Sequence, residues 1–154
     1  FVPCACTPLL DAIGMSLTRL EKEVKKHERA LAFVTIITDG YENASTEYNL
    51  QQIHQLIGRL KEQEGWNFAY MGANQNVAEV SVELNIDVQN AREFEFSCTG
   101  ARDAFSAYNE GNMNFFSAVE NCDREVGENV SEALHRKLRR QMMAARSFFK
   151  RDDD

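Results

Sequence analysis

Asp39 closes a run of apolar and β-branched residues, Phe33-Val34-Thr35-Ile36-Ile37-Thr38, and is followed by Gly40 and a polar stretch holding Glu42, Asn43 and Ser45. A carboxylate, hydroxyls and amides delivered together can hold a ligand, or they can cap a turn or a helix start. Asn43, Ser45 and Thr46 suit the second role, shaping the loop and starting the next helix. A second polar turn, Gly72 to Asn76, follows the apolar run of "WNFAYMGAN". Other chemistries lack their residues. No Ser/His/Asp or Cys/His arrangement points to a nucleophile, and "TDGYEN" has neither the lysine nor the glycine spacing of a phosphate loop. His27, His54 and His135 are far apart and read as surface histidines. An enzyme is therefore not expected.

The elements that must position these groups alternate. Thr7 followed by Pro8 predicts an N-cap and first turn, with Leu9, Leu10, Ile13, Leu17, Leu20 and Val24 at helical spacing. Residues 32–38 are near-continuously apolar, as in a strand buried on both faces. Residues 46–64 predict a second helix ended by Gly65, and 66–74 a second strand. A short helix follows over 75–84. Residues 86–88 and 94–97 read as extended, and 101–120 and 128–150 as helical. This alternation predicts an α/β fold, a mostly parallel sheet with helices on both faces. Ligands of such sheets bind outside the carboxyl ends of the strands, where Asp39, the Gly72–Asn76 turn and the Thr7 turn converge.

A length of 154 residues suits one domain with a real core. The net charge of −7 argues against nonspecific nucleic-acid binding by the whole chain. Residues 127–151 are the exception, with a charge of about +5 ahead of three closing aspartates. No apolar run approaches the length of a membrane span, and no signal peptide is recognisable. Cys4, Cys6, Cys98 and Cys122 have neither zinc-knuckle nor small-secreted-domain spacing, so reduced thiols in a cytoplasmic setting are expected.

Three segments, "CTPLLDAIG" (6–14), "VTIITDGYENAS" (34–45) and "GWNFAYMGANQN" (65–76), resemble in order and spacing the von Willebrand factor A domain, bacterial intracellular type. The resemblance covers roughly residues 3–100 and weakens to about 120, which divides the chain into a partial A domain (1–120) and a basic amphipathic helix with an acidic tail (121–154). It implies a three-layer sandwich and a metal ion-dependent adhesion site. There Mg²⁺ (or Mn²⁺) would be held with Thr7 and Asp39 among its ligands and would take a carboxylate from a partner protein. Gly40, Asn43 and Asn74 would surround it as partner-binding residues. The family's Asp-x-Ser-x-Ser motif is absent, so the site is incomplete, and the N-terminal strands that precede Thr7 in the family are missing. Strand 33–38 would then have a free edge, to be covered by a second copy, by a complementing N-terminal polypeptide or by this chain folding back. The expected function is a protein-binding module. The alternative is an assembly subunit with a degenerate metal site, using its strand edge and its C-terminal helix, whose stripe ends in Phe148-Phe149.

Overall fold

Strand β1 (Phe33–Thr38) lies parallel to β2 (Asn67–Ala73), which lies parallel to β3 (Ala91–Phe94), in the order β1-β2-β3. Between and around them run α1 (Leu9–Val24), α2 (Leu50–Glu64), α3 (Val77–Glu83) and α4 (Cys98–Val126). The structure, a computed structural model, describes residues 6–27 and 30–126, and beyond them 130–131, 133–135, 137–138 and 148–149. The fold is α/β with a parallel sheet, as the alternation of patterns predicts.

Side chains alternate across the strands and feed two clusters. Ile36, Phe68 and Tyr70 join Leu10, Ile13 and Leu17 of α1 and Ile53, Ile57 and Leu60 of α2. Ala69 and Met71 join Ala104, Phe115 and Ala118 of α4, with Phe148 and Phe149. β2 is the central strand and is buried from Phe68 to Ala73, which explains its unbroken apolar sequence. β1 is an edge strand, and its Ile37 is 43% exposed.

Several boundaries differ from expectation, each for a physical reason. α1 begins at Leu9 with Pro8 at the N-cap position, so the Thr7 side chain does not cap it. α2 begins at Leu50 rather than 46, because Asn49 and Gln52 form a reciprocal capping box there. It stops where Gly65 takes a left-handed φ of 70°. Residues 88–90, expected to be partly extended, form a 3-10 turn, and β3 lies at 91–94 rather than 94–97. Arg59 of α2 grips Glu21 of α1 with two 2.8 Å hydrogen bonds, joining the two helices.

The helix expected over 101–120 runs from Cys98 to Val126, passing the 120/121 division without a break. The helix predicted over 128–150 lies largely outside the described residues, as do Cys4, most of the basic run and the three closing aspartates. Phe148 and Phe149 are described and are buried. The Phe148 ring stacks on Phe33 at 4.5 Å and meets Phe149 edge-on at 4.8 Å. Its backbone N–H donates to Asn90 Oδ1 at 2.8 Å. The phenylalanine pair read as the end of a partner-docking stripe thus packs on the chain's own sheet and α4. A stack of rings against Phe33 and Phe115 removes more apolar area than a solvent-facing stripe allows.

Candidate functional site

The polar loop after β1 meets the start of α1, and most of its polar groups are spent there. The first N–H groups of a helix have no partner within the helix. Here Leu10 N–H donates to Glu42 Oε2 at 2.8 Å, and Asp11 N–H donates to Ser45 Oγ at 3.1 Å. Glu42 also accepts from Ala44 N–H, Ser45 N–H and the Ser45 hydroxyl, at 2.8, 2.7 and 2.7 Å. Partial burial pulls the Glu42 carboxyl upward, but these donors outweigh it and hold its pKa at about 2, against an ordinary 4.5. Asp11 returns the favour from α1. It accepts the N–H groups of Thr46, Glu47 and Tyr48 at 2.8 to 2.9 Å, and the Thr46 bond leads in holding its pKa below the usual value. Thr7 N–H donates to Asn43 Oδ1 at 2.7 Å, and Asn43 N–H to Thr7 O at 3.3 Å. The Tyr48 ring closes the junction over Gly14, where a β-carbon would come within 2.5 Å of it.

Thr7, Asp39, Gly40 and Asn43 do come together. A β-carbon on Gly40 would stand 2.9 Å from Thr7 Oγ1, which places that hydroxyl against the residue after Asp39. Thr38 is occupied locally, its hydroxyl donating to Gly40 O at 2.9 Å. Asn74 follows the end of β2 and is exposed, in a left-handed conformation of φ 52°, with its N–H directed to Phe94 O at 3.4 Å, and in the same turn Asn76 N–H reaches the Tyr41 hydroxyl of the loop after β1 at 3.4 Å. The side chains of Thr7 and Asp39 make no hydrogen bond or ion pair among the described residues, and Asp39 is exposed.

Two oxygen donors do not fit a Mg²⁺ site by themselves. That ion takes about six oxygens in an octahedron, and one carboxylate leaves it poorly neutralised. Among the described residues no group of three or more His, Cys, Asp or Glu side chains is placed to hold a metal ion. Calorimetric titration of the chain with Mg²⁺ is therefore expected to give equally flat heats for the wild type and Asp39→Ala. A saturating exotherm or endotherm lost in the variant would show that donor count to be wrong.

Reading the sequence missed Glu42 and Asp11 as the hubs of the junction, and placed Gln75 only within the Gly72–Asn76 turn, without its burial. Glu42 and its α1 partner are 32 positions apart, so no local pattern ties them. The usable signal was indirect: α1 starts at Leu9 after Pro8, with no side-chain cap of its own, so its N–H groups needed acceptors from elsewhere. Gln75 is buried behind β2. Its Oε1 accepts the Tyr70 hydroxyl at 2.7 Å, while its Nε2 is buried without a partner among the described residues. Burial, with the nearby Tyr41, pushes the Tyr70 hydroxyl up to about 12, so it remains a donor at any ordinary pH.

No protein-family model matches the chain, and no curated protein and no solved structure matches it either. Among the described residues no helix is long and apolar enough to cross a membrane. Cys6 and Cys98 are exposed free thiols, and Cys122 is buried.

Proposed function

We propose that this chain is a protein-interaction module of the von Willebrand A type, built as a three-layer sandwich, and that it binds by adding a strand at the free edge of β1. The observation that carries this reading is the position of β1. Among the described residues β1 and β3 are the two edges of the sheet, and an exposed apolar edge is a template for another strand. Here Phe33–Thr38 forms that edge, with Ile37 exposed beside it. Strand addition gives affinity through main-chain hydrogen bonds and specificity through alternate side chains. The exposed Phe105 and Phe116 of α4 favour further contact with protein rather than with nucleic acid, as does the net charge of −7.

The loop that bears Asp39 has a structural part in this reading. Glu42 and Asp11 tie it to α1, and the loop in turn fixes where β1 ends. The occupant of the edge is a second copy or a strand from a separate polypeptide. Sedimentation velocity from micromolar to near-millimolar chain is expected to show concentration-dependent association that weakens in Ile37→Lys, because a charge beside an edge strand discourages pairing. A wild-type chain that stays monomeric throughout, and that captures no strand peptide, would remove the support for strand addition.

A further inference from the structure

Between the start of α1, the loop after β1 and α3 lies a cleft of about 270 Å³, bordered on one side by Glu42 of the capping network. Leu9, Leu50, Val80 and Leu84 give it apolar walls. Tyr41 and Leu50, both exposed, mark its rim, and the buried Tyr70 and Gln75 its inner end. Gln75 is 3% exposed, and its amide nitrogen has no partner among the described residues. Buried amide nitrogens are nearly always paired, so this one calls for an acceptor. Turning the amide over would pair the nitrogen with Tyr70 and strand the oxygen, so one polar atom is left unmatched in either placement.

Charge and size narrow the ligand. Glu42 and Glu83 both border the cleft, and Glu42 is ionised at neutral pH, so anions are disfavoured. A cavity of about 150 Å³ is enough for benzene, so this volume takes a ring with a short substituent or a fused pair. Apolar walls with one convergent polar group are the usual make-up of a small-molecule site. We propose that this cleft binds a small uncharged molecule with an apolar ring and one carbonyl-type acceptor. The ring lies against Leu9, Leu50, Val80 and Leu84, and the Gln75 amide donates to the carbonyl. The nitrogen carries under 1 Å² of exposed surface, so it reaches the ligand by rotation about the terminal Gln75 torsion, which is broad and soft.

The test uses three probes that share one ring: acetophenone, ethylbenzene and benzoate, titrated into ¹⁵N-labelled chain and followed by amide chemical shifts. Acetophenone is expected to saturate with shifts at the Gln75 side-chain amide and at Val80 and Leu84. Ethylbenzene is expected to bind about tenfold more weakly, the factor of one unmade hydrogen bond, and benzoate more weakly still. Gln75→Leu, checked for folding by circular dichroism, should keep ethylbenzene binding and lose the preference for acetophenone. Val80→Trp should fill the cleft and abolish both. The proposal is overturned by the absence of saturable shifts at cleft residues for all three probes, by benzoate binding best, or by an unchanged preference in Gln75→Leu. If Gln75→Leu does not fold, Val80→Trp decides, and binding retained there overturns the site.

Discussion

Replacing Phe148 by alanine is expected to cost about 3 kcal/mol of unfolding free energy, in the range for a buried phenylalanine. The ring stacks on Phe33, lies 6.3 Å from Tyr108 and fills the space over Gly111. Gly111 sits inside the 29-residue α4, where glycine is worse than alanine by about 1 kcal/mol. Its retention there has a steric reason: a β-carbon would come within 2.5 Å of the Phe148 ring. The sign of Gly111→Ala should therefore depend on residue 148. In the wild type it should destabilise by about 1–2 kcal/mol, through overpacking. In Phe148→Ala it should stabilise by up to about 1 kcal/mol, as helix propensity alone predicts. Urea unfolding of the four proteins measures this cycle. Additive effects, with Gly111→Ala costing the same in both backgrounds, would mean that Phe148 does not rest on α4 in solution.

Glu42→Ala should cost about 2 kcal/mol at neutral pH. The change leaves the N–H groups of Leu10, Ala44 and Ser45 without their acceptor. Hydrogen bonds to a charged acceptor are worth more than neutral ones, and the half-buried setting discounts that through solvent screening. Glu42→Gln should fall between, because one amide oxygen replaces two carboxylate oxygens and the amide nitrogen faces donors. The pH dependence follows from the direction of the shift. The folded carboxyl titrates at about 2 and the unfolded one near 4.5, so the contribution is complete above the unfolded value and is lost as pH falls from about 4.5 to about 2. Wild type should lose stability across that window more steeply than Glu42→Gln. Glu21, also held at about 2 by its hydrogen bonds to Arg59 and Lys25, contributes equally to both proteins and cancels in the comparison. Superimposable acid limbs would show that Glu42 is not the acceptor of these N–H groups in solution.

Both predictions concern contacts between residues remote in sequence, and this marks the limit of reading the chain by itself. Periodicity and composition were enough for β1 and β2, for most of the inward faces of α1 and α2 (Leu20 and Leu50 are exposed), and for the alternation that makes the sheet parallel, because each is written in consecutive side chains. The stop of α2 at Gly65 is likewise a local matter of one left-handed residue. That the loop bearing Asp39, the Gly72–Asn76 turn and the Thr7 turn share one edge of the sheet was legible from the rule that parallel strands present their carboxyl ends together. What those polar residues are spent on was not. Glu42 could serve its own turn or a helix 32 positions earlier, and only the packing of α1 against the loop makes it do both. Asp11 has no local pattern to mark it, and only the packing of α1 on the loop brings the N–H groups of Thr46, Glu47 and Tyr48 to it. Phe148 and Phe149 ended an apolar stripe that any groove could have taken. The small side of Gly111, the ring of Phe33 and the amide oxygen of Asn90 together select this chain's own surface. The sequence by itself determined the order of the main helices and strands and most of their inward residues, since those follow from local spacing, but not the place of β3 or the start of α2. Only the tertiary structure decided which polar groups are consumed in holding the fold and which, at Asp39, Thr7 and Gln75, are left over, because that depends on distances between segments that no local pattern encodes.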